Sequence, residues 1–305
     1  MVRSIGVLGV PTSAGTHYPG QEKAPKAWRS AGLLDVLRDR ELDVVDYGDL
    51  PLVRYRPVEP VQGVRDLDRV AAVARETASK VKAIRLDGRV PLVLGGDCTI
   101  TLGVLAGLED VGLIYFDGDA DLSTPERSVS NVADTMGMTH MLGGGVASLA
   151  HLGDRAPLLT PDRVVLFGFD PAELNTDQWA QVSGRRLYAM PSPSVQSDPV
   201  GTAAAARSYL EERAGTYLLH FDVDVVDTGS FPLANFPHFA GLGLGEAGVC
   251  LRQFATASAL AGLVVTEVNP DHDPDGSLLE MLTVIVAEAL VPADAATEER
   301  ENRTA

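Results

Sequence analysis

Between Ile114 and Pro125 the chain reads Ile-Tyr-Phe-Asp-Gly-Asp-Ala-Asp-Leu-Ser-Thr-Pro, an apolar run passing straight into Asp117, Asp119 and Asp121. Alternate residues of an extended segment share a face, so these carboxylates converge at one strand end. Their repulsion in a partly buried place calls for protons or cations, and a divalent metal is the natural counter-charge. A second apolar run, Tyr217 to Phe221, ends in Asp222 and Asp224, and a third, Val90 to Leu94, ends in Gly95-Gly-Asp-Cys98. One aspartate after a strand is ordinarily a turn former or a helix cap. Three strand ends of the same character are not explained that way.

The elements that must position these groups alternate between strand and helix. Strands are expected at 4–10, 42–47, 90–94, 112–116, 163–167, 186–189, 217–221 and 263–268, most of them continuously apolar, as in a parallel sheet buried on both faces. Helices are expected at 24–40, 67–86, 99–108, 135–142, 172–182, 199–213, 245–257 and 277–290, from apolar spacing of three and four. This order implies an α/β three-layer sandwich on a mainly parallel sheet of about eight strands, with ligands beyond the carboxyl ends of the strands. Residues 1–291 read as one domain, and 292–305 as an acidic tail expected to be disordered.

Composition narrows the partners. The 305 residues carry a formal charge of −17, which disfavours nucleic acid and anionic membranes and suits a small cationic substrate. Cys98 and Cys250 are too few for a disulfide scaffold, no apolar run is long enough to span a bilayer, and no secretory apolar core opens the chain. The expectation is a soluble, cytoplasmic protein.

Taken together, the motifs resemble those of the ureohydrolase family, the arginases, agmatinases and formimidoylglutamases. Gly95-Gly-Asp-Cys98 stands where the family writes Gly-Gly-Asp-His, and Asp117-Gly-Asp-Ala-Asp121 where it writes Asp-Ala-His-x-Asp. Phe221-Asp-Val-Asp-Val-Val-Asp227 and Thr266-Glu-Val-Asn-Pro270 match two later signatures, and Gly32-Leu-Leu with Val45-Asp-Tyr-Gly-Asp-Leu50 resembles the family's start. The resemblance implies hydrolysis of a guanidino or amidino C–N bond at one or two divalent ions, Mn²⁺ foremost, in an oligomeric protein. It implies metal ligands at Cys98, Asp117, Asp119, Asp121, Asp222 and Asp224, a nucleophile made from metal-activated water that Asp224 helps to hold, and a guanidinium clamp at Glu267.

Departures from the family pattern carry chemical weight. Two family imidazoles are replaced, by Cys98 and Asp119, and a proton-shuttling histidine aligns with Asp134, which reads equally well as a helix N-cap. Two imidazoles with four carboxylates carry −4 and balance two divalent ions, whereas five carboxylates and a thiolate carry −6. A thiolate also favours Zn²⁺ or Fe²⁺ over Mn²⁺. Ser123, Ser130 and Asp170 align with places that hold an amino acid's carboxylate and amine. The segment 230–240, with Phe231, Phe236 and Phe239, would rim the pocket and is more aromatic than an arginase rim, so arginine itself is not the expected substrate. His238 and His272 lie on loops near the cleft and could replace the lost imidazoles, although ordinary surface histidine is the simpler reading, and His220 reads as a hydrogen-bonded core residue. The rival readings are a family member with a degenerate metal site serving in binding or regulation, and a hydrolase of another amide class.

Overall fold

A computed structural model describes residues 2–292 apart from 109 and 154, so most of the expected tail lies outside the described residues. Eight strands form one parallel sheet: β1 (Ser4–Val10), β2 (Asp43–Asp49), β3 (Val90–Gly95), β4 (Gly112–Phe116), β5 (Val164–Phe167), β6 (Tyr188–Met190), β7 (Tyr217–Asp222) and β8 (Leu260–Thr266), in the spatial order β2-β1-β3-β8-β7-β4-β5-β6. All adjacent pairs are parallel, so every strand delivers its carboxyl end to the same edge of the sheet.

The continuous apolar runs are explained by burial on both faces. Within β4, Ile114 and Phe116 enter one core while Leu113 and Tyr115 enter the other, and β5 divides in the same way. Helices 24–30, 33–39, 199–214, 244–255 and 277–289 cover the first face, and helices 67–86 and 100–107 the second. The three-layer sandwich expected from the sequence is the observed architecture.

Boundaries depart from expectation where backbone geometry overrides periodicity. The stretch expected as one helix over 24–40 is two, Ala24–Ser30 and Leu33–Asp39, because Gly32 takes a left-handed φ of 79° between them. The last strand stops at Thr266, and Glu267 turns left-handed at φ 62°. Short helices at Ala147–Ala150 and Ser192–Ser197 carry no periodic signal of their own. Among the described residues no helix is long and apolar enough to cross a membrane.

The turn after β3 leaves no room for a side chain at Gly96. A Cβ placed on Gly96 would lie 2.4 Å from the carbonyl oxygen of Thr12 and 2.8 Å from that of Val10. The Gly96 carbonyl also accepts from the Glu267 N–H at 3.0 Å, tying the β3 and β8 ends together. Gly96→Ala must push this backbone apart, with an expected loss of about 1–3 kcal/mol of stability. Urea unfolding checks it, and a midpoint like that of the parent chain would count against the close approach.

Candidate metal centre and cavity

The four central strands, β3, β8, β7 and β4, are neighbours in space although far apart in sequence, and their carboxyl ends surround one cavity. Cys98 arrives from the turn after β3, Asp117, Asp119 and Asp121 from the turn after β4, Asp222 and Asp224 from the end of β7, and Glu267 from beyond β8. All six residues expected as metal ligands line this cavity, together with Asp134, Glu267 and Phe236. Asp97 lies beneath it, accepting N–H groups of Gly15 at 3.0 Å and Thr99 at 3.2 Å, which fixes the turn that presents Cys98.

Each carboxylate is held by a local donor. The Asp119 N–H donates to Asp117 Oδ1 at 2.7 Å, the Asp224 N–H to Asp222 Oδ1 at 2.8 Å, and the Gly118 N–H to Asp224 Oδ1 at 3.0 Å. Tyr115 donates its phenolic O–H to Asp121. Cys98 Sγ lies 2.6 Å from Asp222 Oδ2, and Thr266 Oγ1 lies 3.3 Å from the same oxygen. Oxygens of Asp117 and Asp222, Cys98 Sγ and a ring nitrogen of His220 all fall within 4.8 Å of one another. A second group on the same terms is Cys98, Asp134 and Glu267.

So much like charge in one place shifts the acids. Burial first, then the neighbouring carboxylates, hold Asp117, Asp121 and Asp222 well above the usual carboxylate range. Burial and Asp222 push the Cys98 thiol up, and burial with Glu267 raises Asp134. Glu267 is pushed up to about 8, chiefly by burial, against the hydrogen bond it accepts from Gln21. Asp224 goes the other way: burial opposes the shift, but His238 holds it below its ordinary value. His238 is raised to about 9, because Asp224, Glu173 and Asp119 outweigh its burial.

The donor set suits a small divalent ion: several carboxylate oxygens with imidazole nitrogen close by. Unused polar atoms point the same way, since Glu267 Oε1 and His238 Nε2 are buried without a hydrogen-bond partner.

Several expected site residues lie elsewhere. Ser123 lines a separate groove with Arg127, Asn175 and Gln181. Ser130 accepts the Val132 N–H at 3.3 Å, and Asp170 accepts that of Ala172 at 2.8 Å, so both serve their own turns and neither lines the cavity. Phe231 is 2% exposed and belongs to the core rather than the rim, while Phe239 is exposed but not part of the lining. Asp134 is not an N-cap: it begins a short 3-10 turn, and its Oδ1 accepts the Cys98 N–H at 2.9 Å.

Other residues lining the cavity were not singled out by sequence reasoning. Gln21 donates to Glu267 Oε2 at 2.8 Å from the first loop, and Thr16, Thr135 and Asn235 complete the wall. His17 and Tyr18 stand at the mouth. His238, expected at the surface, is 1% exposed inside the cavity, because its loop folds inward and Glu173 holds its Nδ1 at 2.9 Å. His272 is a surface residue, its Nδ1 3.0 Å from the Ala234 carbonyl. His220 is the buried, hydrogen-bonded histidine expected, but it also faces Asp117 Oδ2 at 3.1 Å.

Residues 3–292 match the arginase family. An arginase from Bacillus caldovelox is 30% identical over 282 residues, covering 89% of this chain and 93% of the relative. Arginase-1 of Homo sapiens is 29% identical over 279 residues, 88% of this chain and 85% of its own length. The solved Bacillus caldovelox arginase superposes with a TM-score of 0.88 at 27% identity, covering 95% of this chain and 98% of that one. An agmatine ureohydrolase of Thermoplasma volcanium shares the fold, with a TM-score of 0.67 at 19% identity, over 98% of this chain and 92% of that one.

The shifted groups set how metal-free protein responds to pH. Glu267 is raised from an ordinary 4.5 to about 8 and His238 from 6.5 to about 9. A raised group gives its stabilisation fully below its ordinary value and loses it as pH rises through the folded value. His220, lowered to about 3, acts in the opposite sense, and its contribution is lost only as pH falls below 6.5 toward 3. Metal-free protein should therefore melt at progressively lower temperature from pH 6.5 to 9, and saturating divalent metal should flatten the decline. Differential scanning fluorimetry reads both curves; a level metal-free curve would contradict the mutual proximity of these groups.

Proposed function

The chain belongs to the arginase family, and on that premise we propose that it is a metal-dependent hydrolase of a C–N bond in a small guanidino or amidino compound other than arginine. The observation that carries this reading is Glu267, a carboxylate buried at the cavity wall, with Oε2 held by Gln21 at 2.8 Å and Oε1 unpartnered. A planar cation offering two parallel N–H donors is the natural occupant of such a group.

Asp117, Asp121, Asp222 and Asp224 would hold the metal, with Mn²⁺ the ion best matched to their oxygens. When bound, divalent ions supply the Lewis-acid chemistry that makes water nucleophilic near neutral pH. The protein's own residues do the rest. Glu267 binds and orients the guanidinium, exposing one face of its carbon to attack. Asp134, which burial and its neighbours Glu267 and Asp97 push above the usual carboxylate range, is the acid placed to deliver a proton to the departing amine as the C–N bond breaks. For a guanidino substrate the products are an amine and urea.

The mouth supports a substrate without an amino-acid end. Ser123, Ser130 and Asp170 stand outside the cavity, and the mouth is formed instead by His17, Tyr18, Asn235 and Phe236. Aromatic faces there favour a cationic or flat, partly apolar group over a zwitterion. The net charge of −17 further suits attraction of a small cation. A homo-oligomer, soluble in the cytoplasm, is the setting proposed with this activity.

Protein purified without chelator and loaded with Mn²⁺ should release urea from one or more members of a guanidino panel, with L-arginine a poor substrate. No urea or amine from any member, or best turnover of L-arginine, would overturn the reading. Asp222→Ala should abolish metal uptake, read by elemental analysis. Asp134→Asn should keep the metal and lower kcat by about 10²–10⁴-fold, whereas undiminished turnover would remove Asp134 from the reaction.

A further inference from the structure

We propose that His220 and His238 are metal ligands, supplying from two new positions the imidazoles lost at Cys98 and Asp119. The inference rests on the ureohydrolase reading above and deepens it: the nitrogen donors have moved while the carboxylate frame has stayed.

His220 stands on β7, and the register pairs it with Tyr115 on β4, whose ring stacks on the imidazole at 4.2 Å between centroids. That packing aims Nε2 at Asp117 Oδ2, 3.1 Å away, and leaves it 3.7 Å from Cys98 Sγ. The imidazole thus reaches the corner occupied by the Cys98 thiol from within β7, two strands across the sheet, rather than from the turn after β3. Thr101 Oγ1 meets the opposite nitrogen, Nδ1, at 2.8 Å. A histidine ligand needs this arrangement: one nitrogen anchored, which sets tautomer and ring angle, the other turned toward the ion.

His238 repeats the arrangement on the other side. Glu173 holds its Nδ1 at 2.9 Å, and Nε2 lines the cavity 3.3 Å from Asp224 Oδ2, without the geometry of a hydrogen bond. A buried nitrogen within ion-pair reach of a carboxylate yet without a hydrogen bond is an atom that a cation bound beside both would satisfy. Space for the ring comes from Gly118, which stands where the family pattern has alanine: a Cβ there would lie 2.9 Å from His238 Cδ2. Loss of that methyl group beside an inward-folded histidine links the two departures.

Charge supports the exchange. With Cys98 and Asp119 as ligands the set carries −6; with His220 and His238 in their places it carries four carboxylates and two neutral imidazoles, −4, which balances two divalent ions. The softness conflict between thiolate and Mn²⁺ also disappears.

Pulsed electron paramagnetic resonance of Mn²⁺-loaded protein, grown with ordinary or ¹⁵N-labelled histidine, tests this together with calorimetric titration of metal-free protein. The wild-type signal should carry histidine nitrogen couplings. His220→Ala and His238→Ala should each remove part of them and weaken Mn²⁺ binding by at least about 10-fold, and the anchor variants Thr101→Val and Glu173→Gln by about 10–100-fold. The anchor variants carry the test should His220→Ala fail to fold. Adding Cys98→His to His220→Ala should restore affinity, because the imidazole re-enters the same corner. Unchanged affinity and couplings in both histidine variants, or a thiolate-to-metal charge-transfer band in the Co²⁺ form, would overturn the assignment. Wild-type protein that takes up no metal would overturn the ureohydrolase reading as well, whereas Mn²⁺ bound without histidine nitrogen would overturn this inference alone.

Discussion

Mutual repulsion among buried carboxylates is the constraint to which the rest of the structure answers. Asp117, Asp121, Asp222 and Asp224 are all nearly inaccessible, and Asp134 and Glu267 share their cavity. Left to themselves such groups would separate or draw in water. They stay because each is gripped locally: backbone N–H groups of Gly118, Asp119 and Asp224 fix three of them, and the Tyr115 hydroxyl fixes the fourth. Those donors offset part of the desolvation without neutralising the charge. What remains is a concentration of acidic groups that a cation would relieve, held together by the stability of the sheet around it.

That stability is geometric as well as energetic. Parallel strands place all their carboxyl ends on one edge, and the order β3-β8-β7-β4 sets β3 beside β8 and β4 beside β7, segments more than a hundred residues apart. Phe116 meets Phe167, Phe221 and Phe254 at 5.1–6.1 Å between ring centres, immediately below Asp117 and Asp222. Such a dense aromatic floor resists the small displacements by which the acids would relax. Glu267 and Asp121 both take left-handed backbone, with φ of 62° and 50°, and both are cavity residues. Left-handed backbone at a non-glycine residue costs on the order of 1–3 kcal/mol and persists where its surroundings enforce it. For Glu267 the enforcement is visible: its N–H is tied to Gly96 and its carboxylate to Gln21.

What the sequence disclosed follows from the range of the interactions involved. Strands buried on both faces announce themselves as unbroken apolar runs, and acids just past their ends inherit their positions from them, so Asp117, Asp222 and Glu267 were legible as a group. The helix over 24–40 was misread because its apolar spacing continues across Gly32 while the backbone does not. The inward position of His238 and the part played by Gln21 were illegible for another reason. Each sits on a loop whose path is set by partners distant in sequence, Glu173 for the one and Glu267 for the other, 65 and 246 residues away. Phe231 looked like rim by proximity to Phe236, yet a loop that curls inward buries one aromatic and exposes the next. Ser130 and Asp170 occupied plausible positions, but local turns consume their side chains.

At the mouth, the chemistry changes from carboxylate to aromatic. The walls below accept positive charge at nearly every polar atom, while His17 and Phe236 lie 6.0 Å apart above them and Phe236 lies 5.6 Å from His238. No arginine or lysine lines this cavity among the described residues. At the mouth, where His17, Tyr18, Asn235 and Phe236 stand, a zwitterion would have to strip water from its anionic end without meeting a guanidinium or ammonium partner. On the proposed reading a cation with a neutral or apolar remainder meets no such cost, since its remainder would pack on Phe236 and Tyr18 while the charged head reached Glu267. Under that proposal the lining of the mouth would select at the tail of the ligand, and the acids beneath at its head.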